Sequence, residues 1–411
     1  MTGRDGEMNF QFKQRRASKR KFLSALAVLM VVRFCFAEDV APLRINLGSP
    51  LDFQVVQRSA LAGGKLIVAG SIAGESVNPL LPDKLEMCVT GKSFFGDLPS
   101  KWQPLPHPAG ITTFRGELNL PAGGWYRLEV RAMRQGSPVA SAIVEHVGMG
   151  EVFVIAGQSN SANYDEERQN TKSGLVAAFD GAVWRLANDP EPGAGGKKGS
   201  FMPPFGDEMS ERFHVPIGIA AVGIGSTSVR EWLPAGTRLT RLPPLTQNIV
   251  TNSAGQWEVS GKIYAGFISR MRQLGLNGFR AVLWHQGESD AHQGDPERTL
   301  PGEFYRAYLE RLIRDSRADI HWQAPWFVAQ ASYHNPADVA SPDIRAAQKA
   351  VWDDGVALPG PDTDTLTGDM REKNGAGVHM SAKGQKAHAH LWVEKIGPWL
   401  EHQLDGVDNV K

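Results

Sequence analysis

A chain of 411 residues, 42% apolar and 21% charged, is long enough for two ordinary domains and has the makeup of a globular protein with a substantial core. Its 44 basic and 44 acidic residues cancel, which excludes an electrostatic grip on nucleic acid or on an anionic membrane as the main function. Neither a solenoid period nor a long heptad run is present.

In chain order, Lys13–Lys21 (KQRRASKRK) is basic, Phe22–Phe36 is mostly apolar, and Ala37 follows. That succession predicts a secretory signal over residues 1–37, cleaved after Ala37, with Met8 as an alternative start. The rival is a retained membrane anchor; the apolar stretch is short for a span and Arg33 interrupts it. The expectation is therefore export to the periplasm or the exterior, with no stable membrane insertion after cleavage. Of the two cysteines Cys35 leaves with the signal, so Cys88 has no partner for a disulfide and no CxxC metal site is possible.

Residues 38–148 read as a small all-β sandwich domain. Strand-like runs (FQVVQ, KLIVAG, YRLEVRAM, SAIVEHV) are separated by turns such as Ala62-Gly63-Gly64 and Pro121-Ala122-Gly123-Gly124. Residues 149–411 change texture. VFVIAG, VPIGIAAV, FRAVLW and PWFVAQA are nearly continuous apolar strands, as a parallel sheet covered on both faces requires. Between them lie helical patterns: Ile263, Phe267, Met271 and Leu274 on one stripe stopped by Gly275; Phe304, Tyr308 and Leu312 on another; a helix opened by Ser341 as N-cap and Pro342 in its first turn; and a last helix over Ala382–Leu404 that includes Pro398. The fold class is α/β, a doubly wound parallel sheet in an α/β/α sandwich preceded by the β domain. In such sheets ligands sit beyond the carboxyl ends of the strands, so those ends carry the search for chemistry.

Four segments qualify. Gly157-Gln158-Ser159-Asn160 turns sharply and offers a serine between two amides; the bland reading is an N-cap serine. Val222-Gly223-Ile224-Gly225-Ser226-Thr227 brings backbone N–H groups close to a ligand, or is an ordinary glycine turn. Trp284-His285-Gln286-Gly287-Glu288-Ser289-Asp290 packs donors and two acids into one loop. A metal reading would use His285, Asp290 and His292, whose spacing fits no standard zinc signature. Gly377-Val378-His379-Met380-Ser381 puts a histidine just before a helix, placed to serve as a general base. His388 and His390 fall inside that helix and read as structural. Together the segments supply a nucleophile, a base, an acid and oxyanion donors in the chain order Ser, Glu, His, without the G-x-S-x-G elbow.

These residues resemble the sialate O-acetylesterase and carbohydrate esterase family 6 group of the SGNH hydrolase superfamily: GQSN after a strand, a GGT-like block, W-x-QGE and a C-terminal V-H. The likeness extends to Asp52–Gly70, Gly123–Tyr126, Gly150–Phe153 and Asp343–Gln348. It implies an SGNH-type fold and an esterase that removes O-acetyl groups from carbohydrate without a cofactor or metal. It implies Ser159 as nucleophile, His379 as general base, and Ser159, Gly225 and Gln286 as oxyanion donors. Gln158, Asn160, Trp232, Trp284 and His285 are expected around the substrate, and the Gly/Pro-rich segment Asn188–Phe205 as a loop over the pocket. Two departures stand out: Ser161 replaces the family's methionine, at a position expected to shape the pocket, and Ala376 occupies the place of the usual aspartate three residues before the histidine. The acid expected to orient His379 is then Glu288, because the QGE loop should lie beside the nucleophile strand; the alternatives are Asp369 or no acid at all. The rival reading is a non-catalytic carbohydrate-binding protein on a degraded hydrolase scaffold.

Overall fold

Side-chain alternation builds the first part of the molecule. In the computed structural model, which describes residues 43–74, 81–108, 110–292, 295 and 299–408, eight strands precede any helix: β1 (Arg44–Ser49), β2 (Gln54–Gln57), β3 (Gly63–Ala73), β4 (Lys84–Thr90), β5 (Gln103–Leu105), β6 (Thr113–Pro121), β7 (Gly123–Arg134) and β8 (Ser137–Gly157). The expected signal over 1–37 lies outside the described residues. Along β6 every second side chain is buried, the period that covers one face of a sheet. β1, β3 and β6 form one antiparallel sheet; β5, β4, β7 and the start of β8 form a second antiparallel arrangement, and β2 runs parallel to β8. Leu66, Val68 and Leu118 of the first meet Leu85, Met87 and Val130 of the second in one core.

β8 is 21 residues long and crosses the boundary expected between 148 and 149. From Val147 to Gly157 all of its residues are buried. Beyond it come β9 (Val176–Phe179), β10 (Trp184–Leu186), α1 (Met202–Phe213), β11 (Ile217–Ala221), a small hairpin of β12 (Ile249–Thr251) and β13 (Trp257–Val259), α2 (Lys262–Leu274), β14 (Ala281–His285), α3 (Gly302–Asp319), β15 (Trp326–Gln330), α4 (Pro342–Asp353), β16 (Leu358–Asp362) and α5 (Ala382–Asp408). The sheet runs β10-β9-β11-β8-β14-β15-β16, parallel throughout except at β10. This is a mixed α/β protein with a large sheet. Strand alternation divides its core in two. Val152, Val154 and Ala156 pack with Ile263, Phe267 and Met271 of α2, Leu309 of α3 and Ile344 of α4. Phe153 and Ile155 pack with Phe205 and Met209 of α1 and Trp392 and Ile396 of α5.

Local signals explain most element ends. Ser341 Oγ accepts the Ile344 N–H at the start of α4, and Gly275 ends α2 with φ +87°. Two expectations shift. The buried face of α3 is Tyr305, Leu309, Leu312 and Ser316, with Phe304 43% exposed, because the helix seats one residue further round than its Phe/Tyr/Leu stripe implied. The end of the Asn188–Phe205 segment is helical: α1 opens at Met202 with Pro203 and Pro204 in the first turn, where their missing N–H groups cost nothing. Among the described residues no helix is long and apolar enough to cross a membrane.

After β8 the chain first reaches β11 on one side and later β14 on the other. Connections that leave a strand in opposite directions open a crevice past its carboxyl end. Ser159 lies just past that end.

Candidate active site

The turn that carries Ser159 is dictated by Gly157. Its φ is +128°, and a Cβ there would lie 2.0 Å from the His285 carbonyl oxygen, so any side chain would push β8 and β14 apart. Gln158 N–H then donates to that same carbonyl at 2.9 Å, extending the strand pairing by one residue. Ser159–Ser161 forms a single 3₁₀ turn. The serine is 6% exposed, and its hydroxyl makes no hydrogen bond among the described residues. Ser161, expected to shape the pocket, is buried: its Oγ donates to Gln158 O at 2.7 Å, and Gly223 packs so tightly on it that a Cβ would come within 2.5 Å of that Oγ.

The glycine block after β11 follows the same turn. Ile224 N–H donates to Gly157 O at 2.9 Å. A Cβ on Gly225 would fall 2.6 Å from Tyr164 Cζ, so glycine there is a matter of close approach, not of φ. The Gly225 N–H, like that of Ser159, has no backbone acceptor among the described residues.

His379 comes from the loop ahead of α5. Its Nδ1 lies 2.8 Å from Glu372 Oε1. The loop between them closes on itself: Glu372 N–H donates to His379 O at 2.9 Å, Gly375 and Gly377 N–H to Glu372 O at 3.1 Å each, and a Cβ on Gly377 would strike Glu372 Cγ at 2.3 Å. A carboxylate at Nδ1 makes that nitrogen the donor and leaves Nε2 as the acceptor, the tautomer a general base needs. Burial pushes the His379 imidazolium below its ordinary value, against the opposite pull of Glu372 and Glu288; Lys198, whose Nζ is 3.9 Å from Glu372 Oε2, adds to the lowering.

Five contacts bring these loops together. Asn160, next to Ser159, donates from Nδ2 to Val378 O, next to His379, at 3.3 Å. Met380 N–H donates to Asp165 Oδ1 at 3.1 Å, and Glu166 N–H to Met380 O at 2.9 Å. The Tyr164 ring packs on Gly225 and stacks on His379, with centroids 5.7 Å apart. Asp165 itself is fully buried, and burial raises its carboxyl well above the usual carboxylate range. The serine turn, the glycine turn and the histidine loop therefore share one surface.

Residues 149–396 match the family described as carbohydrate esterase, sialic acid-specific acetylesterase. The chain belongs to that family. Among solved structures it is similar to a carbohydrate acetylesterase from Xanthomonas citri (18% identity over 83% of this chain and 71% of that one, TM-score 0.46). It is also similar to NanS (16% identity over 61% and 98%, TM-score 0.40) and to a Corynascus carbohydrate esterase family 2 enzyme with its carbohydrate-binding domain (14% identity over 87% and 99%, TM-score 0.36). No match is found among curated proteins.

Within this family site several expected residues take other places. Glu288 does not touch His379. Its Oε1 accepts from Asn160 Nδ2 at 2.8 Å and faces His285 Nε2 at 3.1 Å. Burial alone would raise the Glu288 carboxyl, but the His285 charge and hydrogen bond, with Asn160, hold it down at about 2. Asp369 is no alternative: it pairs with Lys383 at 2.7 Å on the surface. The acid beside His379 is Glu372, seven residues upstream and not three. The signal was present in EKNGAGVH, where Asn374 and Gly375, both at positive φ, turn the chain back so that its ends face each other.

Gln286 also differs from expectation. Its Nε2 donates to Asp290 Oδ2 (2.8 Å), Thr227 O (3.1 Å) and Gln158 Oε1 (3.3 Å) inside a fully buried hub, so this amide is committed to the scaffold and not free for an oxyanion. Gln158 Oε1 in turn accepts from Ser289 N–H at 2.9 Å. Trp232 and Trp284 are wholly buried, packed edge to face with centroids 5.1 Å apart, and His285 is 1% exposed, so none of the three can lie against a sugar. Asn160 is likewise buried and acts as a clamp. The residues of the metal reading diverge: Asp290 binds Ser228 Oγ, Val229 N–H and Arg230, His285 binds Glu288, and the His292 ring packs tilted against His334. The Asn188–Phe205 segment flanks the site, held by Asn163 Nδ2 on Glu191 O at 3.0 Å and by Gly195 N–H on Gly223 O at 2.8 Å. Half-buried Tyr164 is the aromatic at the site that sequence reasoning missed.

Proposed function

We propose that this protein is an exported serine esterase that removes O-acetyl groups from carbohydrate, sialate or another acetylated glycan, on an SGNH-type doubly wound domain preceded by a β sandwich. The observation that carries the reading is the His379–Glu372 pair, 2.8 Å apart, on a loop fastened to the Ser159 turn through Asn160 and Val378. His379 Nε2 takes the Ser159 proton as the hydroxyl attacks the acetyl carbonyl. The N–H groups of Ser159 and Gly225 receive the oxyanion, and Glu372 stabilises the imidazolium. The sugar hydroxyl departs with the proton, and water activated by the same histidine releases acetate from the acetyl-serine. No cofactor enters these steps.

The test is chemical and substrate-independent. A fluorophosphonate probe should label the native chain at Ser159, and Ser159→Ala should abolish both labelling and acetate release, by on the order of 10⁴-fold or more in kcat, with an unchanged unfolding curve. Unchanged hydrolysis of an aryl acetate by Ser159→Ala defeats the assignment. Failure of the native chain to label would favour a carbohydrate-binding protein. Acetate release from acetylated sialoglycan, xylan and peptidoglycan then identifies the sugar.

A further inference from the structure

Behind the serine turn runs a buried chain of hydrogen bonds that the mechanism above does not use. Trp392 Nε1 donates to His388 Nε2 at 3.0 Å. His285 Nδ1 meets that same Nε2 at 3.0 Å, and His285 Nε2 meets Glu288 Oε1 at 3.1 Å. Asn160 Nδ2 donates to Glu288 Oε1 and also to Val378 O. Every member is 2% exposed or less.

The direction of the chain is fixed at its Trp392 end. An indole N–H can only donate, so His388 Nε2 carries a lone pair and the His388 proton sits on Nδ1, which has no partner among the described residues. His285 Nδ1 must then donate to His388 Nε2. At the other end His285 Nε2 faces a carboxyl oxygen that already receives the Asn160 amide. With Glu288 ionised, His285 has to donate from that nitrogen as well. Burial, which by itself pushes the His388 imidazolium well down, keeps His388 neutral and an acceptor.

We propose that Trp392 and His388 lock His285 as a buried imidazolium, which keeps Glu288 a carboxylate and makes Glu288 with Asn160 the positioning unit for the His379 loop. Glu288 then does at one remove what direct contact would have done. Its charge faces His285 and Arg371 and favours the protonated form of His379, while Asn160 fastens Val378 beside that histidine. The imidazolium and carboxylate are in contact at 3.1 Å and cancel, so the pair brings no net charge into the interior. The functional half of this inference rests on the esterase reading; the protonation half does not.

Two measurements separate them. In the native protein at neutral pH, a long-range ¹H–¹⁵N spectrum should show protons on both ring nitrogens of His285 and on Nδ1 alone of His388. A single proton on His285 overturns the proposal, and this arm needs neither a variant nor activity. In Glu288→Gln the cation loses its counter-charge, so His285 should give up one proton; two retained protons also overturn it. In the kinetic arm, Glu288→Gln should lower kcat about tenfold or more with KM within about twofold. It should also move the acid limb of kcat to lower pH, because of the two charges lost together the Glu288 carboxylate, which favours His379 protonation, is the one that faces the histidine loop through Asn160. A residue that merely supports the fold would leave that limb in place, and an unmoved limb refutes the positioning role.

Discussion

The two halves of β8 sit in different surroundings. From Ala140 to His146 the strand alternates between exposed and partly or fully buried side chains; from Val147 to Gly157 nothing is exposed. On the first half Glu145 pairs with Arg127 in water, at 56% and 38% side-chain exposure, as Lys65 and Glu117 do on the β1-β3-β6 sheet at 58% and 51%. Around the second half charges pair out of water: Arg58 with Glu151 at 0% each, and Arg230 with Asp290 at 1% and 0%. A buried charge survives only with its partners in place. The lesson is that the chemistry sits where polar groups are most constrained, and the alternating half supplies a rigid base for it.

The largest expected effect breaks the constrained half at its reacting edge. Glu372→Ala leaves His379 Nδ1 without its acceptor and frees the wrong tautomer, so kcat should fall on the order of 10³- to 10⁴-fold. His379 also loses the nearest charge that favours its protonated form, so the residual activity should extend to lower pH than in the native enzyme. Steady-state kinetics across the acid range reads both. A variant within tenfold of native would mean that another group orients the histidine.

The next effect breaks the joint between the halves. Glu151 Oε1 accepts from Arg58 Nε at 2.6 Å, and its Oε2 from Arg280 Nε at 2.7 Å and Gln57 Nε2 at 2.8 Å. Arg58 follows β2 and Arg280 precedes β14, so one carboxylate ties three strands of the sheet. Glu151→Gln strands two guanidinium groups and should cost about 3–5 kcal/mol in urea unfolding. Glu117→Gln, which removes a comparably short contact at the exposed surface of the β1-β3-β6 sheet, should leave the midpoint where it is. Equal losses from the two would end the contrast drawn here.

Much of this was legible in the residues. Continuous apolar strands, the Ser341 cap and the Gly275 stop follow from rules of one or two turns in range, and each appears in the fold. GQSN, the glycine block and VH also meet where strand-end logic put them. What failed was partner choice. Glu288 and Gln286 stand in the right loop, but which buried group each one faces depends on side chains over a hundred positions away, such as Gln158 and Asn160. Trp232 and Trp284 look like sugar platforms in a list of residues and are core in three dimensions. Glu372 was missed because a fixed spacing was sought where a glycine-rich turn permits a longer one.

The smallest effect sharpens the comparison most, because it sets a surface charge against a buried one at the same histidine. Lys198 is 59% exposed and lies 3.9 Å from Glu372 Oε2. Its charge disfavours a protonated His379, whereas Glu372 favours one. As the proposed base His379 is active only when neutral, so the acid limb of kcat/KM should mark its protonation and lie below the ordinary histidine range. Lys198→Ala should therefore move that limb to higher pH, opposite to Glu372→Ala, with kcat at the optimum unchanged. An exposed charge is screened by salt and a buried one far less. Raising the ionic strength should shift the native limb toward the Lys198→Ala position and leave that variant's own limb nearly still. If salt moves both alike, the lysine is not the source of the shift.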